Sequence, residues 1–371
     1  MKRIAVLTSS RADYGIYLPL LDEIKNDPYF SLELVVFGTH LSNLHGYTLN
    51  NILEDGFSAP YLIETMTDGD TPAAISASMA LTSLKFAEFW RDHYKDYDLV
   101  FCLGDRYEMF AAVFSAVPFN IPFAHLHGGE TTLGAIDNTF RHAITMASKY
   151  HFVSCDEHAK RVAELIQSND NIYNVGSLSL DKLTSAPILT REEFSEQFGI
   201  DFNIPTILVT LHPETVDPEK NGEYADELAS VLLELKKYQS LITLPNADTF
   251  GSVIRKRFQT LPVESGNRIR CFENLGSRAY FSAMKHCAFL LGNTSSGIIE
   301  AASFGKWVIN LGKRQQGRVQ SENVLNLPFK KDDILINIKK IEADILFRGD
   351  NIYYKRDVAK SICAILKKSR K

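Results

Sequence analysis

Short apolar runs alternate with longer amphipathic stretches along almost the whole chain, and this pattern restricts the fold more than any other feature. The runs predict strands at Ile4–Leu7, Leu32–Phe37, Leu99–Leu103, Ile121–His125, Tyr150–Val153 and Ile172–Val175. A second set follows at Thr206–Leu211, Leu241–Leu244, Ile269–Phe272, Phe289–Leu291, Trp307–Ile309 and Val324–Leu325. Helical stretches fall between most of them, among them Ala73–Tyr94, Tyr107–Ser115, Tyr224–Tyr238 and Arg278–His286. Strand–helix alternation of this kind predicts an α/β protein with parallel sheets covered by helices on both faces. The series restarts once. Thr184–Asp201 is polar and helix-prone, bracketed by Pro187 and Pro205, and a new apolar strand opens at Thr206, so a boundary is expected near 185–205. The length of 371 residues points the same way, because one ordinary core does not serve so long a chain.

With 45% hydrophobic and 23% charged residues, the composition is that of a soluble globular protein. A net charge of −5 offers no basic face for nucleic acid, although local arginines can still hold a small anion. The first apolar run, Ile4–Leu7, is too short for a secretory signal, and no stretch approaches the ~20 apolar residues of a membrane helix. The five cysteines (Cys102, Cys155, Cys271, Cys287, Cys363) are scattered, never spaced C-x-x-C, and read as reduced core residues of a cytoplasmic protein. The tail Tyr353–Lys371 reads as an amphipathic helix whose final lysines and arginine form a solvated end.

Ligands of open parallel sheets sit beyond the C-terminal ends of the strands, and the unusual residues fall there. Strand one runs into Ser9-Ser10-Arg11-Ala12-Asp13-Tyr14-Gly15, where Arg11 suits a phosphate; no G-x-G-x-x-G dinucleotide loop follows any strand. Leu103-Gly104-Asp105-Arg106 and His125-Leu126-His127-Gly128-Gly129-Glu130 end neighbouring strands, so Asp105 and Glu130 can serve as paired carboxylates. His125, His127 and Glu130 lack the spacing of a metal site, and His125 reads as partly a packed strand residue. Asp137 and Arg141 are four apart and share a helix face, either as a surface ion pair or as part of the site. In the second half, His212 ends an apolar strand and is pushed out of helical geometry by Pro213. There it can donate to phosphate or act as acid or base. Asn293-Thr294-Ser295-Ser296-Gly297 then makes a polar strand-to-helix turn suited to an anion, with Glu300 placed for ribose hydroxyls. Lys313, Arg314 and Arg318, with Gln315 between them, add cations beside it.

Taken in order, these residues resemble the UDP-N-acetylglucosamine 2-epimerase family, most closely its hydrolysing branch from sialic- and legionaminic-acid biosynthesis. The resemblance is carried by Arg11–Gly15, Gly104-Asp105-Arg106, His127–Glu130, Ile136-Asp137 through Arg141-His142, His212-Pro213, Pro245-Asn246-Ala247-Asp248, Gly292–Ser295, Glu300 and Arg314–Arg318. It implies two Rossmann-like domains facing a central cleft, a GT-B-like arrangement. Residues 1–190 would form the sugar and catalytic side, 191–350 the UDP side, and 351–371 a C-terminal helix packing back on the first domain. By position, Asp105, Glu130, Asp137, Arg141 and His212 match the catalytic cluster. Arg11, Arg106 and Asn246 would approach the UDP-sugar, and Thr294, Ser295, Ser296, Gly297, Glu300, Arg314, Gln315 and Arg318 would hold its diphosphate and ribose. Thr294 stands where serine is usual, and Phe250 lengthens the loop after Asp248.

The resemblance implies no cofactor, neither nicotinamide nor catalytic metal, and a homo-oligomer, dimer or tetramer, with no nucleic-acid or membrane partner. The implied reaction eliminates UDP across C1–C2 of UDP-N-acetylglucosamine and rehydrates the 2-acetamidoglucal to N-acetylmannosamine. UDP-N,N′-diacetylbacillosamine is the alternative substrate, because the motif residues are common to both. Two other readings remain: a GT-B glycosyltransferase and a non-catalytic nucleotide-sugar sensor. No G-x-S-x-G elbow supports a serine hydrolase.

Overall fold

The computed structural model describes residues 1–43, 46–69, 71–133, 136–181, 183, 187–214, 217–245, 251–273 and 275–369. Two compact units divide the chain: Met1–Glu130, Asp137–Lys182 and Tyr353–Lys371 form the first, and Thr131–Ile136 with Leu183–Ile352 the second.

The first unit is built on seven strands, β1 (Lys2–Thr8), β2 (Phe30–Phe37), β3 (Tyr61–Ile63), β4 (Leu99–Leu103), β5 (Phe123–Leu126), β6 (Tyr150–Val153) and β7 (Ile172–Asn174). They pair in parallel in the order β3-β2-β1-β4-β5-β6-β7. Both faces of this sheet are covered, which is why runs such as Ile4–Leu7 and Leu99–Leu103 are apolar at consecutive rather than alternate positions. Ile4, Val6, Leu34, Val36, Leu99 and Phe101 point into one core cluster. Ala5, Leu7, Val35, Phe37, Val100 and Cys102 point into another, on the opposite face. The helix Arg11–Asn26 covers the first face; it starts at a capping box in which Ser10 and Asp13 satisfy each other's backbone. The last helix, Val358–Lys368, joins it there and buries Val358, Ile362, Cys363 and Leu366 in the same cluster. The Asp181 carboxylate accepts from the backbone N–H of Val358 at 3.0 Å and of Ala359 at 2.7 Å, capping that helix from a distant stretch of chain.

The second unit repeats the plan with β8 (Thr206–Thr210), β9 (Gln239–Thr243), β10 (Ile269–Phe272), β11 (Phe289–Gly292), β12 (Val308–Leu311) and β13 (Val324–Leu327). The order is β10-β9-β8-β11-β12-β13, again parallel. Ile207 and Val209 face one cluster and Leu208 the other, so the two-sided burial recurs. In each sheet the order reverses beside its first strand, between β1 and β4 and between β8 and β11. Such a reversal leaves a crevice outside the strand ends, because successive connections depart to opposite sides.

Some elements differ from expectation for identifiable reasons. The edge strand β3 is three residues long and only partly buried, too short to show a pattern. β9 starts at Gln239 rather than Leu241, because the Gln239 amide is buried and donates to Asp201 O at 2.5 Å and to Thr206 Oγ1 at 2.7 Å. Of the described residues in the helix-prone stretch before Pro205, Arg191–Phe198 form a helix, closed by left-handed Gly199, and the tail is helical from Val358, not from Tyr353.

At the end of β11, Gly292 has φ 138°, and a Cβ there would overlap the carbonyl oxygen of Thr210 on β8. Gly266 has φ 61° with open space around it. Gly266→Ala should therefore cost only the about 1–2 kcal/mol of a left-handed alanine. Gly292→Ala should cost clearly more, read as a larger fall in the urea midpoint; equal costs would contradict this packing.

Candidate active site

Each crevice is framed by loops whose backbone is fixed by buried polar side chains. After β1, the Asp13 carboxylate accepts from Thr8 Oγ1 at 2.7 Å, Ser9 N at 2.9 Å, Ser9 Oγ at 2.8 Å and Ser10 N at 3.1 Å. Buried His40 contacts Thr8 Oγ1 at 2.9 Å and lies 3.9 Å from the carboxylate. Burial alone would raise the Asp13 pKa, but these donors, His40 foremost, hold it below the ordinary value. With the turn fixed, Arg11 stands exposed at the first position of its helix.

After β4, Gly104 N donates to Leu126 O at 3.1 Å, which keeps this loop in step with the end of β5. Asp105 follows and forms an ion pair with Arg141, whose side chain is only 2% exposed. Arg141 reaches it from the helix Asp137–Ala147, so the residue is no surface ion-pair partner; it joins that helix to the end of β4. Asp137 is half-buried at the first position of the same helix. Arg106 is bound by buried Glu108, with contacts of 2.8 and 3.2 Å.

After β5 the chain turns through two residues of positive φ. His127 has φ 63° and Gly129 φ 77°. Glu130 is buried, its Oε1 3.2 Å from His127 Nδ1 and 3.5 Å from Ser154 Oγ. His125 lies wholly inside, with Nε2 2.9 Å from Gly104 O and Nδ1 3.1 Å from Thr145 Oγ1. Burial pushes its pKa down to about 3, and that of His151 on β6 to about 4. His142 is also lowered, by burial first and then by Arg141 and Arg161. Both carboxylates expected from the sequence thus lie on loops after neighbouring strands, and His125 is a packed strand residue.

In the second unit, Asn293 does most of the positioning. Its Oδ1 accepts from His212 N at 2.7 Å and its Nδ2 donates to His212 O at 2.9 Å, so the loops after β8 and β11 are laced together. Gln315 was expected at the ligand. Its side chain is wholly buried, and Nε2 donates to Asn293 O at 2.7 Å, supporting the same lacing. Buried Glu214 accepts from Lys313 N and, at 3.2 Å, from Arg314 N, fixing the turn after β12. The sequence offers Asn293 only as part of the anion turn and gives Glu214 no role, since a polar residue after a strand looks the same whether it faces ligand or backbone.

Thr294 caps the short helix Ser295–Ile299, its hydroxyl accepting from Ser296 N. Gly297 lies against Val308 of β12, where a Cβ would come within 2.9 Å. Glu300, expected one turn inside that helix, closes it instead, and is 5% exposed. Arg314 and Arg318 are half-buried. Asn246 and the loop through Phe250 lie outside the described residues. Among the described residues, no group of three His, Cys, Asp or Glu is placed to hold a metal ion, and no helix is long and apolar enough to cross a membrane.

Comparison with known proteins agrees with this framework. The description of the family UDP-N-acetylglucosamine 2-epimerase matches residues 22–367. The chain is 33% identical to polysialic acid biosynthesis protein P7 of Escherichia coli, covering 99% of this chain and 94% of that one. It is 32% identical to the GDP/UDP-N,N′-diacetylbacillosamine 2-epimerase (hydrolyzing) of Campylobacter jejuni, covering 88% and 84%. The crystal structure of UDP-GlcNAc 2-epimerase from Neisseria meningitidis bound to UDP-GlcNAc superposes with a TM-score of 0.82 at 17% identity over the full length of both chains, a likeness of fold.

The buried histidines make stability depend on acid. The folded pKa values of His125 and His151, about 3 and about 4, lie below the about 6.5 of an unfolded histidine. The unfolded chain therefore binds more protons as the pH falls below about 6.5, and the fold loses stability down to the folded values. Denaturant midpoints should drop over this window, and His125→Asn should start lower at neutral pH but fall less steeply. An unaltered slope in that variant would refute the assignment.

Proposed function

The chain belongs to the UDP-N-acetylglucosamine 2-epimerase family, and from that membership we propose that it is a hydrolysing 2-epimerase of a UDP-linked amino sugar. The first unit supplies proton chemistry at C2, and the second holds UDP. The observation that carries this reading is the pairing of two carboxylate-bearing loops, at Asp105 and Glu130, on successive strand ends of the first sheet. Breaking the C2–H bond needs a base, and protonating the glucal from the other face needs an acid. A transferase that only exchanges the bond at C1 has no use for such a set. The hydrolysing outcome is supported by the activity named for the Campylobacter relative.

In this mechanism Arg141 balances the charge of Asp105 and fixes its direction, so that the carboxylate is positioned before the sugar arrives. Asp137 and Glu130 complete the first unit's acid–base set. In the second unit Thr294, Ser295, Ser296 and Gly297 offer backbone and hydroxyl donors to the diphosphate, Arg314 and Arg318 add charge, and Glu300 accepts from the ribose. His212, fixed through its backbone by Asn293, donates to the departing diphosphate. Arg11, Arg106 and Asn246 approach the UDP-sugar. The proposed substrate is UDP-N-acetylglucosamine, giving N-acetylmannosamine and UDP. The Campylobacter relative's name favours UDP-N,N′-diacetylbacillosamine as the alternative. We place the reaction in the cytoplasm, where the five unpaired cysteines stay reduced, and the protein in a homo-oligomer, dimer or tetramer.

Incubation with each UDP-sugar, without acceptor and in deuterium oxide, tests the reading. The expected products are UDP and a free 2-epimerised sugar carrying deuterium at C2; protium retained at C2, or no UDP release without an acceptor, rejects it. Asp105→Asn should lose about 10²–10⁴-fold in kcat while binding UDP normally. Glu300→Ala should instead raise KM and weaken UDP binding more than it lowers kcat. Calorimetry showing unchanged UDP affinity in Glu300→Ala would remove that residue from the nucleotide site.

A further inference from the structure

The turn after β5 holds an imidazole that the proposed mechanism leaves idle. His127 occupies the left-handed region at φ 63°, whereas four of the other six described non-glycine residues with positive φ are Asn or Asp. A histidine kept in that conformation, buried, at a strand end beside a crevice, calls for a functional explanation. Its Nδ1 faces Glu130 Oε1 at 3.2 Å. Its Nε2 is buried and makes no hydrogen bond to any of the described residues. An unsatisfied buried polar atom costs about 1–3 kcal/mol, so its survival points to an occupant that the folded chain does not itself supply.

The surroundings hold this arrangement rigidly. Gly128 packs so closely over His125 that a Cβ would come within 2.9 Å of Nδ1. The Arg161 guanidinium donates to Gly129 O at 2.6 Å. His158 Nδ1 contacts Ser154 Oγ at 3.0 Å, and that hydroxyl donates to the same Glu130 oxygen at 3.5 Å. The register pairs Leu103 with Leu126, so His127 follows β5 just as Gly104 and Asp105 follow β4. Because a carboxylate only accepts, the proton of the neutral ring sits on Nδ1 and the lone pair on Nε2.

We propose that His127 is a general base of the reaction and that Glu130 is the positioning residue that orients its ring. This rests on the epimerase reading above and reassigns the direct proton transfer within it. Nε2 takes the proton from C2 as the C2–H bond breaks. That electron pair forms the C1–C2 double bond, and the C1–O bond breaks with its pair leaving on UDP. The imidazolium is balanced by Glu130 and returns its proton to solvent. Water then gives its hydroxyl to C1, while a second acid, recharged by the proton that water releases, protonates C2 from the other face.

Two variants separate this role from a structural one. Asparagine tolerates the left-handed conformation and can donate to Glu130, but it has no basic nitrogen. His127→Asn should keep its melting curve and UDP affinity yet lose about 10²–10⁴-fold in kcat. Near-normal turnover would overturn the proposal. His127→Gly should be rescued by added imidazoles in the order of their base strength; rescue that ignores basicity would also overturn it. Failure of the epimerase reading shows separately, as absence of UDP release by the wild-type protein from either UDP-sugar. Even then, nitrogen NMR of the ligand-free protein, with the His127 signals identified from His127→Asn, decides the dyad. A protonated Nδ1 and bare Nε2 support it, and the opposite tautomer overturns it.

Discussion

Parallel strands can be joined only by crossovers that return the chain to the same edge, and this requirement governs both halves of the molecule. Every loop that leaves a strand end then emerges along one rim of its sheet. The reversal of strand order beside β1 and beside β8 parts those loops and opens a crevice. Arg11, Asp105, His127 and Glu130 on one rim, and His212, Thr294 and Arg314 on the other, owe their positions to it. Buried apolar strands can therefore be nearly interchangeable in sequence, while the residues just past them are not.

A rim of loops is not a site until its backbone stops moving, and here buried side chains rather than regular structure hold it. Asp13 collects four donors from a single turn, Asn293 spans two loops with one amide, and Glu214 secures a third. A buried carboxylate or amide is tolerable only when its hydrogen bonds are satisfied, and here they are satisfied by loop backbone. The cost of burial becomes loop rigidity, so partly exposed groups such as His212 and Arg11 are held without wandering.

The fold class was legible because two-sided burial writes long apolar runs into β1, β2, β4 and β8, and amphipathic helices separate them. β3 was not, since a three-residue edge strand leaves no periodicity, and the start of β9 was hidden by the polar but buried Gln239. For the candidate site, order along the chain was enough to put Asp105, Glu130 and His212 on loops just past strand ends. It could not tell which polar residue in a loop faces outward and which is turned back to hold the backbone. Gln315 and Asn293 lie on the inward side of that division, and only burial and bond partners reveal it. The Asp137–Arg141 spacing pointed to a helix face, but the partner that matters, Asp105, lies 36 positions away from Arg141 along the chain.

The last helix carries an implication for how the chain is made. The first unit needs Val358, Ile362 and Leu366 to fill one face of its sheet, and its N-terminal lysine, Lys2, donates to Leu366 O at 3.1 Å. During synthesis the N-terminal half therefore emerges with an open hydrophobic face that stays open until Val358, Ile362 and Leu366 have left the ribosome. The second unit, contiguous from Leu183 to Ile352 apart from six residues made earlier, is complete before that. Vectorial folding usually completes the first-made domain first. In this chain the order is inverted, and a nascent chain stalled short of residue 358 presents an unsealed core to chaperones and proteases.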